Sequence, residues 1–267
     1  MKLEIRKEGK KKMTEDIVLF EKQDKICTLT LNRPGIMNAV SREILTEFQA
    51  ALDRIEEDEE IRVVVLTGAG DHFSSGADMI LLDQADYAPD MLKFMRRLRK
   101  LIVAMRELPQ PIICKVRGVA YGVGSNTALA GDFVVASHTA RFCEVFVNIG
   151  TVLDGGGTYF LPRLVGLAKA RELALLGDEF DGRAAAEMGL IYKSVPEEDL
   201  DKTVDDLART LAGKPALSLS LIKEGLENSF DMTLSQALEW EAAHQSIMLQ
   251  TRENREIVKM FLEMKKK

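Results

Sequence analysis

Residues 150–163 read GTVLDGGGTYFLPR, and they set one carboxylate, Asp154, between Val152-Leu153 and three glycines that open another apolar stretch. A carboxyl in apolar surroundings is desolvated, so its proton affinity rises and it becomes a competent base and acid near neutral pH. An aspartate in a surface turn or a helix cap is the alternative reading of the same residue. A lone carboxylate suits a reaction in which one group takes a proton from one carbon and returns it to another. Adding water across a double bond is easier with two groups, one for the water and one for the carbon proton.

Two further segments carry chemistry through their backbone. FSSGAD at 73–78 lies downstream of an apolar run, and GVAYGVGSN at 118–126 lies between an apolar run and a helical pattern. Small residues admit a ligand close to the main chain, and N–H groups at a helix start lack partners within the helix. Two such N–H groups converging on one oxygen form an oxyanion hole. Gly122-Val123-Gly124 is followed by Thr127 where a dinucleotide fingerprint needs glycine, and no Gly-Lys-Ser/Thr loop occurs, so neither nicotinamide chemistry nor nucleotide hydrolysis finds support. His72, His138 and His244 are not spaced as metal ligands, and no metal site is expected. Cys27, Cys114 and Cys143 are scattered among apolar neighbours, which reads as buried, reduced thiols in a cytoplasmic protein.

The elements that position these groups follow from pattern. Ile26–Leu31, Arg62–Thr67, Ile112–Val116 and Phe133–Ala136 are apolar, β-branched runs and predict strands, the central ones buried on both faces. Ser41 caps a helix in which Ile44, Leu45, Phe48, Leu52 and Ile55 recur at helical spacing. A long amphipathic helix ends near Glu107, before Pro109 and Pro111. Strand, glycine turn and helix alternate, which is α/β organisation. From about Pro196 the pattern is helical: Leu217–Leu226, Leu234–Leu249 and Glu253–Lys265. Three parts are expected: a disordered extension at 1–12, a core at 13–195 and a helical region at 196–267. The chain has 267 residues, 46% of them hydrophobic, and a net charge of -6. That balance disfavours nucleic acid as a partner, and no stretch approaches the ~20 apolar residues of a membrane span.

Taken together, LNRPGIMNAV at 31–40, VVVLTGAGDHFSSGADM at 63–79, GVAYGVGSNTALAGDFVVAS at 118–137, GTVLDGGGTYFLPRLVG at 150–166 and LALLGDEFDGRAAAEMGLIYKSV at 173–195 resemble the crotonase, or enoyl-CoA hydratase/isomerase, superfamily. The resemblance runs from about residue 14 to the end. It implies a crotonase-type spiral of ββα units with a C-terminal helical trimerisation region, assembled as a homotrimer or a dimer of trimers. It implies an acyl-CoA thioester substrate, with coenzyme A arriving as part of that substrate and no other cofactor. The oxyanion donors would be the N–H groups of Ala77 and Val123. Met37, Ser75, Gly76, Ala77, Asp78, Met79, Gly122 and Val123 would flank the CoA moiety.

The resemblance also marks departures. Hydratases of this family use two glutamates, and the matching positions here are Asn126 and Phe146, with Glu144 two residues upstream of the second. The closest resemblance is to the ring-epoxide phenylacetyl-CoA isomerases and related enoyl-CoA isomerases, whose GLxPDxGGTxxLPRLxG motif answers to GTVLDGGGTYFLPRLVG, with Leu153 in place of proline. It implies that Asp154 is the single acid/base of an enoyl-CoA isomerase. The competing expectations are a hydratase or hydrolase using Asp154 with water, and a non-catalytic acyl-CoA or RNA-binding relative using the basic cluster Arg96, Arg97, Arg99 and Lys100. That cluster reads more simply as a solvated or intersubunit helix face. Tyr121 and Tyr159 are candidate hydrogen-bond donors or packing residues. Met79, Met91 and Met95 are expected beside the acyl chain, and Trp240 between helices.

Overall fold

The computed structural model describes residues 16–83 and 88–265. The extension expected at 1–12 lies outside them. Six strands form the main sheet: β1 (Val18–Gln23), β2 (Ile26–Leu31), β3 (Val63–Gly68), β4 (Ile112–Val116), β6 (Phe133–Ser137) and β9 (Lys193–Val195), in that order. β1 pairs antiparallel with β2, and every other neighbour is parallel. β5 (Val119–Tyr121), β7 (Arg141–Cys143) and β8 (Phe180–Asp181) form a second, three-stranded sheet. The predicted strands are all present.

The continuous apolar sequence of β3 follows from its place. Val64 and Leu66 join the core beneath α1 (Arg42–Glu57) and α3 (Ala88–Glu107), with Phe48, Leu52, Leu101 and Met105. Val63 and Val65 face α7 (Glu197–Ala212), against Leu200, Val204 and Ala208. A parallel strand covered on both faces favours a continuous apolar run, and its one polar side chain, Thr67, is satisfied by donating to Lys115 O at 3.1 Å. Ser41 caps α1 as expected, its hydroxyl accepting from Ile44 N at 3.3 Å. The long helix predicted to end at Glu107 comprises α2 (Met79–Asp83) and α3, and residues 84–87 between them are not described.

The remaining helices are α4 (Val123–Leu129), α5 (Gly157–Leu176), α6 (Gly182–Glu187), α8 (Ala216–Asn228), α9 (Leu234–Met248) and α10 (Arg252–Met264). α5 breaks at Gly166, whose φ of 73° and ψ of 161° are not helical. α7 belongs to the core. α8, α9 and α10 have no buried residues and expose Ile222, Leu226, Ile247 and Phe261, with Phe230 exposed in the turn between α8 and α9. Trp240 packs between α8 and α9: a Cβ on Gly225 would lie 2.7 Å from its ring.

Candidate active site

Two loops are stitched together to expose one amide. Val40 N donates to Gly76 O at 2.7 Å, and Asp78 N donates to Val40 O at 3.0 Å. In this bridge Val40 binds the neighbours of Ala77, so the Ala77 N–H points to the opposite side. Asn38 braces the same loop from beneath. Its Oδ1 accepts from Arg33 N at 2.9 Å, and its Nδ2 donates to Ala69 O at 3.0 Å and His72 O at 2.8 Å. Arg33 in turn pairs with Asp78 at 3.1 Å.

The second turn docks on the first. Tyr121 N donates to Ser74 O at 3.0 Å. Gly76 has φ +94°, and a Cβ there would sit 2.8 Å from Tyr121 O and 3.9 Å from Val123 N. Only glycine allows this approach without a shift of backbone. Val123 is the first residue of α4, where an N–H has no partner within the helix. Among the described residues neither Ala77 N nor Val123 N donates a hydrogen bond. Two unpartnered main-chain donors thus lie on loops in contact, the arrangement that receives an oxyanion.

The Asp154 loop closes on the same helix. A Cβ on Gly155 would lie 3.2 Å from Val123 Cγ2, and one on Gly157 would lie 2.6 Å from Asn126 Nδ2. The triple glycine therefore lets the start of α5 pack directly on α4. Asn126 Nδ2 donates to Asp154 O at 2.8 Å and to Glu144 Oε2 at 3.2 Å. Asp154 is partly exposed, but its Oδ1 is buried without a hydrogen-bond partner among the described residues. Burial pushes its carboxyl up to about 6. Glu144 is fully buried, and burial pushes its carboxyl up to about 7. Ser125 and Asn126 pull it down, while the charge of Asp154 pushes it further up.

The other expected positions divide. Met37, 42% exposed, and Met79, 68% exposed, flank the Ala77 loop as an apolar rim. Met91 and Met95 pack on the core along α3. Ser75 turns its hydroxyl to Ile36 O at 3.3 Å, and the Asp78 side chain is held by Arg33, so both offer a ligand mainly backbone. The Tyr121 hydroxyl bonds Glu179, and that of Tyr159 lies 3.5 Å from Glu227. Both hydroxyls thus have partners outside the Asp154 loop. Arg96, Arg97, Arg99 and Lys100 are exposed on α3. Cys27, Cys114 and Cys143 are buried free thiols. Among the described residues no group of three or more His, Cys, Asp or Glu is arranged to hold a metal.

Residues 21–267 match the family described as Enoyl-CoA hydratase/isomerase. The chain belongs to the enoyl-CoA hydratase/isomerase family. Its similarity to individual members of that family spans nearly the whole sequence. The 1,2-epoxyphenylacetyl-CoA isomerase of Escherichia coli is 37% identical over 250 residues, covering 92% of this chain and 95% of the relative. A probable enoyl-CoA hydratase of Rhodobacter capsulatus is 35% identical over 255 residues, covering 94% and 96%. The crystal structure of an enoyl-CoA hydratase from Mycobacterium smegmatis superposes with a TM-score of 0.90 at 27% identity, covering 93% of this chain and 97% of that one. The expected crotonase fold is therefore established, as is membership of a family of enzymes that transform acyl-CoA thioesters. Hydratase and isomerase names both occur among the relatives.

Three residues that hold the site together escaped the sequence reading. Asn38 stood inside the LNRPGIMNAV segment, and its signal was a polar side chain in an otherwise apolar stretch. Arg33 lay in the same segment. Asn126 was visible only as the replacement of a glutamate, with no hint that its amide bridges two carboxyl-bearing residues.

Proposed function

We propose that this enzyme is an enoyl-CoA isomerase in which Asp154 moves one proton between two carbons of the acyl chain. The thioester oxygen is received by the N–H groups of Ala77 and Val123. Removal of a proton conjugated with the thioester places negative charge on that oxygen, and two pre-aimed donors stabilise it. Asp154 Oδ takes the proton, and the same carboxyl returns it at the new position. The observation that carries the reading is Asp154 itself: a desolvated carboxyl with an unpartnered oxygen, anchored by its main chain to the helix that starts with Val123.

Asn126 and Phe146 stand where the two glutamates of a hydratase would be, which supports isomerisation over hydration. A second reading, hydration by Asp154 with water, is favoured by the second carboxyl nearby. Glu144 is wholly buried, however, and offers no surface at which to activate a water. Coenzyme A enters as part of the substrate, and no other cofactor takes part. The exposed apolar faces of α8, α9 and α10 are the surface expected to pack in a homotrimer or a dimer of trimers in the cytoplasm.

Incubation with 3-enoyl-CoA and with crotonyl-CoA, followed by mass analysis, tests the assignment. Isomerisation leaves the mass unchanged and produces the conjugated thioester. A product heavier by one water, formed at comparable turnover, would replace the isomerase with a hydratase.

A further inference from the structure

Ser125, Asn126, Glu144 and Asp154 form a buried polar cluster with too few donors. Both N–H bonds of the Asn126 amide are spent, one on Glu144 Oε2 and one on Asp154 O. Asn126 Oδ1, Glu144 Oε1 and Asp154 Oδ1 are buried and lack partners among the described residues. All three are acceptors when both carboxyls are ionised. The Ser125 hydroxyl is close enough to Glu144 to affect its proton affinity, yet it too stands outside hydrogen-bonding geometry. One hydroxyl cannot serve three acceptors, and an unpaired buried acceptor is costly.

Among the described residues no cation relieves the cluster. The groups that act on Glu144 are Ser125 and Asn126 from α4 and Asp154 from the loop before α5, and burial alone acts on Asp154. Cys143, the residue before Glu144, is the other titratable group beside it, and the charge of Glu144 raises its thiol further. The carboxylates of two residues joined by one amide, with no lysine, arginine or histidine acting on either among the described residues, cannot both ionise cheaply.

We propose that Glu144 is a positioning residue for the acid/base: it holds one proton in the resting enzyme, and the pair works as a single-proton unit with Asp154 ionised. This rests on the isomerase reading above. The extra proton supplies the missing donor, since a neutral carboxyl donates through its O–H. It also leaves only one negative charge in the cluster before Asp154 receives the substrate proton. During turnover Asp154 goes from carboxylate to carboxylic acid and back, while Glu144 keeps its proton throughout. Ionisation of Glu144 puts a second negative charge beside the developing enolate, and the rate falls.

The test is the pH profile of kcat for the wild type, Glu144→Gln and Glu144→Leu, together with pH-difference infrared spectra of the protonated-carboxyl stretch. The wild type is expected to show a bell, falling about tenfold per pH unit on the alkaline side. Glu144→Gln keeps a donor and cannot ionise, so its alkaline limb is lost. Glu144→Leu lacks the donor, and its kcat lies below that of the Gln variant at every pH. A wild-type infrared band that Glu144→Gln removes, present between about pH 6 and about pH 7, reports the held proton. An alkaline limb that persists in Glu144→Gln, or a spectrum with Glu144 already ionised at about pH 6, overturns the proposal. The infrared measurement needs no turnover, so it decides the proton on Glu144 even if the isomerase assay fails.

Discussion

Asn126 Nδ2 lies 2.8 Å from the main-chain oxygen of Asp154, a contact between positions 28 residues apart. It fastens the loop by its backbone and leaves Asp154 Oδ1 without a partner among the described residues. A base that is held but not hydrogen-bonded keeps its proton affinity, because each donor to the charged form would lower it. Replacing Asn126 by Ala leaves two acceptors, Asp154 O and Glu144 Oε2, without their donor. The expected cost is about 2–4 kcal/mol of stability, read by denaturant unfolding, with a fall in kcat larger than any rise in KM.

Asp154→Asn keeps the shape of the side chain and removes the base. The isomerase rate should fall by roughly 10²–10⁴. Affinity for a non-reactive acyl-CoA, measured by calorimetry, should change little, since the proposed donors for the thioester are main-chain groups. Turnover close to wild type would remove Asp154 from the chemistry.

The proposed oxyanion pair is tested at Gly76. An alanine there brings a Cβ to 2.8 Å from Tyr121 O at a φ of +94°, so the loop must move and carry the Ala77 N–H with it. Loss of one such donor costs about 3 kcal/mol in the barrier, or roughly 10² in kcat. A Gly76→Ala variant with unchanged kcat and a well-folded thermal transition would argue against Ala77 as a donor.

The legible part of the molecule is the part whose causes are local. β3 announced itself because a strand covered by α1 and α3 on one side and α7 on the other carries a continuous apolar run, Val63 to Leu66. α1 was legible from its cap and its apolar stripe. Asp154 stood out because a charge among apolar residues has few bland explanations. The hidden part depends on contacts across the chain. Asn38 earns its place through carbonyls 31 and 34 positions ahead, and no spacing rule reports that. Glu144 sits in FCEVF at 142–146, where only the packing of α4 over it shows that the carboxyl is buried beside Asp154. β5 and β8 are three and two residues long, too short for alternation to register.

The acid limb of the rate profile follows from Asp154. In the proposed mechanism the carboxyl must be ionised to take a proton, and burial holds it at about 6. The value of kcat/KM for the free enzyme should therefore rise with pH through about 6 and level off above it. The same limb should be absent from whatever residual activity Asp154→Asn retains.

Stability should move in the opposite sense. Glu144 has its folded value raised from 4.5 to about 7, so between those limits the native state binds more protons than the unfolded chain. Stability is fully present below 4.5 and is lost as pH rises through about 7, by about 3 kcal/mol for a group this buried. Glu144→Gln removes that dependence. Thermal transitions recorded from about pH 5 to about pH 8 should show the wild type losing ground to the variant as pH rises. Parallel curves would mean that Glu144 is no more hydrated in the unfolded chain than in the fold. Its place against Ser125 and Asn126, with no exposed surface, argues against that.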